Sequence, residues 1–157
     1  MKNFTLISVL SLLLLIGACK NKCSKIENLN TGLSNTEYRW GKCYLNANAS
    51  TAGMIIQTPE EFSKYKSDSL KFCDTLSVPS IDFNTSSLLG INAAGDGCNV
   101  GFERNLEKDT VAKKYIYTVN VMQCGDCGSR FLDPNWIKTE KIAAGYTVEF
   151  RIKYTDK

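Results

Sequence analysis

The feature that most constrains this chain is a strict alternation towards its C-terminus. Tyr115, Tyr117, Val119 and Val121 keep phase against Ile116, Thr118, Asn120 and Met122, and Tyr146, Val148, Phe150 and Ile152 repeat the pattern against Thr147, Glu149, Arg151 and Lys153. A period of two sends alternate side chains to opposite faces, so both stretches are predicted as strands with one buried face. Val100, Phe102 and Leu106 alternate in the same way, with a turn expected at Lys108-Asp109-Thr110. Leu88-Leu89-Gly90-Ile91 is a short apolar run ending near a turn at Gly95-Asp96-Gly97, and Trp136-Ile137 with Ile142 mark another strand region. Upstream, a first strand is expected over Glu37 to Ala47, with Tyr38, Trp40, Tyr44 and Leu45, and a second at Met54-Ile55-Ile56. Thr58-Pro59-Glu60-Glu61 supplies a capping threonine, a proline in the first turn and a glutamate three residues after the cap. With Phe62 and Tyr65 as its apolar stripe, joined by Leu70 or Phe72, that start predicts a helix over 59–70. There is no βαβ rhythm. The expected fold is mainly β (α+β): an antiparallel sheet or sandwich of about six to eight strands with one short helix, stapled by disulfides.

Composition narrows the chemistry. The chain has 157 residues, 43% hydrophobic and 22% charged, which suits one globular domain; it has seven cysteines and no histidine. Without histidine there is no Ser-His-Asp triad, no Cys-His pair and no imidazole metal site. Carboxylates remain as general acids and bases. Asp96, Asp126 and Asp133 fall in glycine- or proline-marked loops, where the bland explanation is turn formation by local backbone hydrogen bonding. Gly95-Asp96-Gly97 lacks the spacing and following helix of a phosphate loop. Trp40 and Trp136 are core residues by default and stacking platforms for a sugar or peptide as the sharper alternative. Net charge is +3 with no basic stripe, so no nucleic-acid partner is expected, and neither is a cofactor.

The first 18 residues read as an export signal: Lys2, then an apolar run from Phe4 to Ala18 that Lys20 and Lys22 close too early for a membrane span. The run ends Ile16-Gly17-Ala18-Cys19, which resembles the bacterial lipoprotein box. That resemblance implies cleavage before Cys19, a thioether-linked diacylglycerol on its sulphur and an acylated amino group, so that the lipid bilayer is a partner. Two or more acyl chains hold a protein stably where one does not. Among such lipoproteins an aspartate after the lipidated cysteine often marks inner-membrane retention; Lys20 stands there, which favours the outer membrane. Residues 19–36, rich in Asn, Ser and Lys, read as a tether, and 37–157 as a single β-rich domain. Lys20, Lys22 and Lys25 sit beside the expected anchor. Asn48-Ala49-Ser50 matches a glycosylation acceptor and is set aside in a bacterial lipoprotein.

An exported chain enters an oxidising space, so Cys23, Cys43, Cys73, Cys98, Cys124 and Cys127 read as up to three disulfides. Six cysteines allow fifteen pairings. Cys23 with Cys43 would staple the tether to the first strand. Cys98 is expected to meet Cys124 or Cys127; alternation favours Cys127, and a bulge near Gly125 would reverse that. Cys124-Gly125-Asp126-Cys127 is also the pattern of a redox pair, although such chemistry wants a helix N-terminus and a lowered thiol pKa, and here the motif follows a strand beside Asp126. A zinc site lacks a second Cys-x-x-Cys.

From Glu60 to Tyr154 the order of features is similar to the C-terminal domain of PrcB-type lipoproteins, accessory subunits of a dentilisin-type surface protease complex. The features are Glu60-Glu61-Phe62 at the helix start, Val78-Pro79 before Ile81-Asp82-Phe83, the aliphatic strand Leu88 to Ile91, a glycine turn, two long strands, and Gly145-Tyr146 leading into the last. Gly97-Cys98-Asn99-Val100 stands where that family shows Gly-Gly-Tyr. The resemblance implies a non-enzymatic accessory or binding module with an envelope protein as partner. An inhibitor is one form of it, with the segment from Gly125 to Pro134 as a braced bait. The competing expectation is an envelope thiol-disulfide oxidoreductase using Cys124 and Cys127.

Overall fold

The computed structural model describes residues 23–33, 35–40, 44–45, 52–71 and 78–156. Cys19, Cys43, Cys73, Phe72 and the Asn48-Ala49-Ser50 acceptor lie outside the described residues.

The fold is mainly β with one short helix. Its strands are β1 (Leu29–Gly32), β2 (Asn35–Glu37), β3 (Tyr44–Leu45), β4 (Met54–Ile56), β5 (Leu70–Lys71), β6 (Ser86–Gly90), β7 (Ala93–Asp96), β8 (Asn99–Asp109), β9 (Lys114–Cys124), β10 (Arg130–Asp133), β11 (Trp136–Glu140) and β12 (Thr147–Asp156), with α1 (Pro59–Ser69) between β4 and β5. Short pairings of two to four residues raise the number above what alternation alone picks out. Two four-stranded sheets dominate, one in the order β1-β8-β9-β12 and the other β2-β11-β6-β4. Two ribbons, β7-β10 and β3-β5, complete the pairing among the described residues.

The long sheet is built on the β8–β9 hairpin, in register from Asn99 opposite Cys124 to Asp109 opposite Lys114. The strand therefore runs through the expected turn at Lys108-Asp109, and the chain reverses one step later, where the Asp109 carboxylate accepts from the amides of Val111 and Ala112. On β9 the alternation holds from Tyr115 to Val121: Tyr115, Tyr117, Val119 and Val121 are buried and Ile116, Thr118 and Asn120 are less so, whereas Met122, expected on the outward row, is buried as well. The inward residues of β8, β9 and β12 close on Leu89, Ile91 and Ile137, which makes a sandwich with an aliphatic and tyrosine interior.

The second sheet is buried on both faces. Leu89 and Ile137 point into the sandwich, whereas their neighbours Leu88 and Trp136 point into a separate cluster with Tyr38, Trp40, Ile56, Tyr65 and Phe83 under α1. Two-sided burial is why Leu88 and Leu89 stand side by side in β6 rather than alternating with polar residues. The helix begins as its sequence requires. Thr58 Oγ1 accepts from the Glu61 amide at 3.2 Å, and Glu61 Oε2 accepts from the amides of Thr58 and Gln57 at 3.2 and 2.7 Å.

Three expectations are corrected in detail. Residues 29–36, assigned to the tether, supply one strand and most of a second: β1 runs parallel to β8, and β2, which ends at Glu37, antiparallel to β11. Polar composition hid them because an edge strand needs backbone partners more than apolar side chains. The single first strand over 37–47 is instead β2 and β3 with Tyr38 and Trp40 buried between them. Finally, β12 pairs with β9 in parallel, not antiparallel, through all ten of its residues. The chain leaves β9, crosses to the other sheet as β11 and returns at Thr147, whose amide donates to Lys113 O, so β12 starts beside the start of β9. Alternation specifies a strand and its faces but carries no sign for its direction.

Candidate functional site

Cys23, Cys98, Cys124 and Cys127 gather at one end of the sandwich, where β8 begins and β9 ends. Cys23 is bonded to Cys124 with Cα atoms 5.7 Å apart, and Cys98 to Cys127 at 4.8 Å. The second bridge is the pairing that alternation favours. The first replaces the Cys23–Cys43 staple expected from sequence. Its cause lies in the segment after Cys23, which runs along the start of β8: Asn99 Nδ2 donates to Ser24 O, the Phe102 amide donates to Asn28 Oδ1, and a Cβ on Gly101 would press on Ile26. That course brings Cys23 beside the end of β9 rather than to the first strand.

Two glycines make the double bridge possible. Gly97 has φ +145°, and a Cβ there would meet the carbonyl oxygens of Cys124 and Gly125 at 2.8 and 2.9 Å. Gly125 has φ +73°, a left-handed conformation that favours glycine. A Cβ on it would lie 2.9 Å from Cys23 Sγ and 2.9 Å from Cys98 Sγ, so these sulphurs of different bridges are no more than twice that distance apart. The Cys-Gly-Asp-Cys motif is thus divided: each of its cysteines is bonded to a distant partner and neither to the other.

A second constellation was missed from sequence. Arg104 occupies an inward position of β8, between Phe102 and Leu106, with its side chain 1% exposed. Its Nη2 lies 2.9 Å from Asp133 Oδ2 and 3.4 Å from Glu37 Oε1, and these carboxylates are 27% and 25% exposed. Arg39 bonds Glu37 from the solvent side at 3.1 Å. Beneath the pair, Tyr117 Oη donates to Asn135 O at 3.0 Å and Asn135 Nδ2 donates to Asp133 O at 2.9 Å. Burial pushes the Asp133 carboxyl above its ordinary range and the Glu37 charge adds to the rise, against the pull of Arg104. The signal that could have found this cluster was a charged residue standing in the apolar phase of β8. Both carboxylates lean on one guanidinium, so the arrangement clamps β2, β8 and the β10–β11 corner together and leaves no free acid beside a free base.

The other sequence candidates do not converge. Asp96 opposes Arg130 and Asp133 opposes Ala93, at opposite ends of the β7–β10 ladder and roughly 10 Å apart by strand rise. Asp126 is exposed on the turn between the cysteines. Trp40 and Trp136 are core residues, 5.3 Å apart edge to face, with Tyr65 4.9 Å from each. Grooves on the described surface are open. One, of about 430 Å³, lies at the start of α1 between Thr58, Asp82 and Lys141, and another of about 210 Å³ lies between Leu33, Lys108 and Glu140. In the second, Lys108 Nζ sits 5.2 and 4.8 Å from the ring centres of Tyr115 and Tyr146, and a hydrogen bond with Tyr115 holds its ammonium above its usual pKa. Among the described residues, no three Cys, Asp or Glu side chains are grouped to hold a metal ion, and no helix is long and apolar enough to cross a membrane.

Comparison of the chain with protein-family models, with curated proteins and with solved structures finds no match.

Proposed function

We propose that this protein is a lipid-anchored, disulfide-braced β domain of the bacterial cell envelope that acts by binding, as an accessory module to an envelope protein, and performs no chemistry of its own. The anchor rests on Ile16-Gly17-Ala18-Cys19 and the outer-membrane assignment on Lys20 after the lipidated cysteine. The observation that carries the binding role is the division of Cys124 and Cys127 between two bridges. An exchange enzyme keeps its two cysteines bonded to each other, with one low-pKa thiolate for attack. Here each sulphur is spent on holding a distant segment.

The test is mass spectrometry of the mature chain from its native membrane, unreduced and after mild reduction. The expected result is an acylated Cys19, with Cys23–Cys124 and Cys98–Cys127 intact after mild treatment. A Cys124–Cys127 pair that opens first, together with a reductase activity that Cys124→Ser abolishes in a folded chain, would transfer the assignment to the oxidoreductase.

A further inference from the structure

The Cys23–Cys124 bridge ties the segment that follows the expected anchor to one end of the long sheet. We propose that the bridged end, with Phe131, Leu132 and Tyr154 beside it, lies against the membrane surface, and that the β8–β9 turn points away from it. The proposal rests on the anchoring reading above.

Cys19 stands four residues before Cys23. Four fully extended residues span at most about 14 Å. Cys23 is bonded to Cys124 at the end of β9, and the segment after it is tied along β8 by Asn99 and Asn28. The tether of 18 residues therefore shortens to four, so Cys23 is held within about 14 Å of an acylated Cys19, and the end of β9 lies one disulfide farther, the Cα atoms of Cys23 and Cys124 being 5.7 Å apart. The opposite end of the hairpin is ten register steps away, roughly 34 Å at strand rise. A leash that short keeps the bridged end at the membrane, and the side chains exposed there decide whether the hairpin stands away from it.

The side chains at the leashed end suit such a contact. Phe131 and Leu132 on β10 are 43% and 54% exposed, and they begin one residue after Arg130, which opposes Asp96 next to Gly97. Tyr154, 61% exposed, opposes Val121 three residues before Cys124. An aromatic residue with a polar tip and apolar neighbours is what a membrane interface accommodates. Charge does not drive the contact. Lys20, Lys22, Lys25, Arg130 and Lys153 near this end stand against Glu27, Asp96, Asp126 and Asp156, which leaves the end close to neutral. The short leash and apolar contact carry it, so it is expected in zwitterionic as well as anionic vesicles.

The test uses the full acylated chain reconstituted into phosphatidylcholine vesicles carrying brominated acyl chains, which quench tryptophan at the interface. Phe131→Trp and Val111→Trp are compared with the parent, whose own Trp40 and Trp136 are buried and give a constant background. Val111 is 95% exposed in the turn that follows β8, so neither change touches the core. The expected result is clear quenching of Phe131→Trp beyond the parent, and a Val111→Trp signal equal to that of the parent. In a chain that floats with the vesicles, an unquenched Phe131→Trp, or quenching of Val111→Trp, overturns the orientation and leaves the anchor standing. The first of those outcomes would make Phe131 and Leu132 available to a protein partner. Flotation that persists in Cys19→Ser overturns the lipid anchor itself, and the quenching pattern then reads the orientation separately.

Discussion

The sheet β2-β11-β6-β4 presents two faces that solve the burial problem differently. Towards the long sheet, Leu89 and Ile137 interdigitate with the inward rows of β8, β9 and β12, whose registers run for ten residues or more. Towards α1, Leu88 and Trp136 meet a box of five aromatic rings gathered from three separate places: Tyr38 and Trp40 from a loop, Phe62 and Tyr65 from the helix, and Phe83 from another loop. The first face is assembled by strand pairing, which positions each residue through its neighbours. The second is assembled by ring packing alone and depends on each loop arriving. Adjacent residues of one strand therefore report on different kinds of cohesion.

The largest effect expected from this contrast comes from Trp136 and Ile137. Trp136→Ala removes the ring that packs on Trp40 and Tyr65 and should cost about 3–5 kcal/mol, and Ile137→Ala should cost about 2–5 kcal/mol. The sharper distinction is spatial. Amide exchange in Trp136→Ala should accelerate first in Pro59–Ser69, whose docking is lost, while β9 stays protected. In Ile137→Ala the loss should appear across β8 and β9 together. Uniform acceleration in both variants would mean that the two faces unfold as one unit.

The next effect tests the charged part of the inner face. Arg104→Met leaves Glu37 and Asp133 without their shared guanidinium, which should cost about 3 kcal/mol, the lower end for a broken buried pair because both carboxylates retain some solvent. The pH dependence has a definite sign. Burial already holds the Asp133 carboxyl above its ordinary range, and loss of Arg104 removes the pull that opposes burial. Protonation relieves an uncompensated buried carboxylate, so the deficit of the variant should be greatest near neutral pH and should narrow as pH falls through the raised Asp133 pKa. Urea midpoints at neutral pH and at about pH 4 measure it; a deficit that widens in acid would remove the ion-pair explanation.

A smaller effect is set by shape. A Cβ on Gly90 would fall on the Trp136 ring. Gly90→Ala should therefore cost about 1–3 kcal/mol by overpacking, although the position has ordinary strand conformation and alanine is otherwise at home there. Trp136→Phe in the same chain should recover part of the loss, because the smaller ring vacates some of that space.

What the sequence disclosed follows from the same contrast. Face assignments along most of β9 and the helix start at Thr58 were legible because each depends on spacing within a short stretch, whereas Cys98 was narrowed only to Cys124 or Cys127, of which it takes the one that alternation favours. Leu88 and Leu89 were legible as buried but not as belonging to two different cores. The parallel course of β12, the strands hidden in 29–37 and the Cys23–Cys124 bridge depend on which distant segment arrives alongside, and no local period encodes that. Arg104 was the one inner residue whose type contradicted its phase, and the two carboxylates it holds, 67 residues upstream and 29 downstream, left no local trace.

The smallest effect compares a single hydroxyl on each face. Tyr38, in the aromatic box, donates to Pro79 O at 2.8 Å, and burial pushes its phenol up to about 12. Tyr117, on the inner face, donates to Asn135 O, and burial raises its phenol further still. At neutral pH either Tyr→Phe change should cost only about 1 kcal/mol, the worth of an ordinary hydrogen bond. The alkaline range separates them. An unfolded tyrosine ionises near pH 10, while the folded phenols hold their protons longer, so above that pH the unfolded chain binds fewer protons and stability falls as pH rises. Tyr38→Phe removes the part of that fall lying between about pH 10 and 12 that belongs to the aromatic box. Tyr117→Phe removes a part that continues to higher pH. Urea midpoints taken at steps from pH 9 upward should therefore flatten in both variants, with the flattening in Tyr117→Phe reaching further. If only Tyr38→Phe flattens the curve, the inner face admits solvent to Tyr117 before the sheets separate, and the strand-paired side would be the looser of the two.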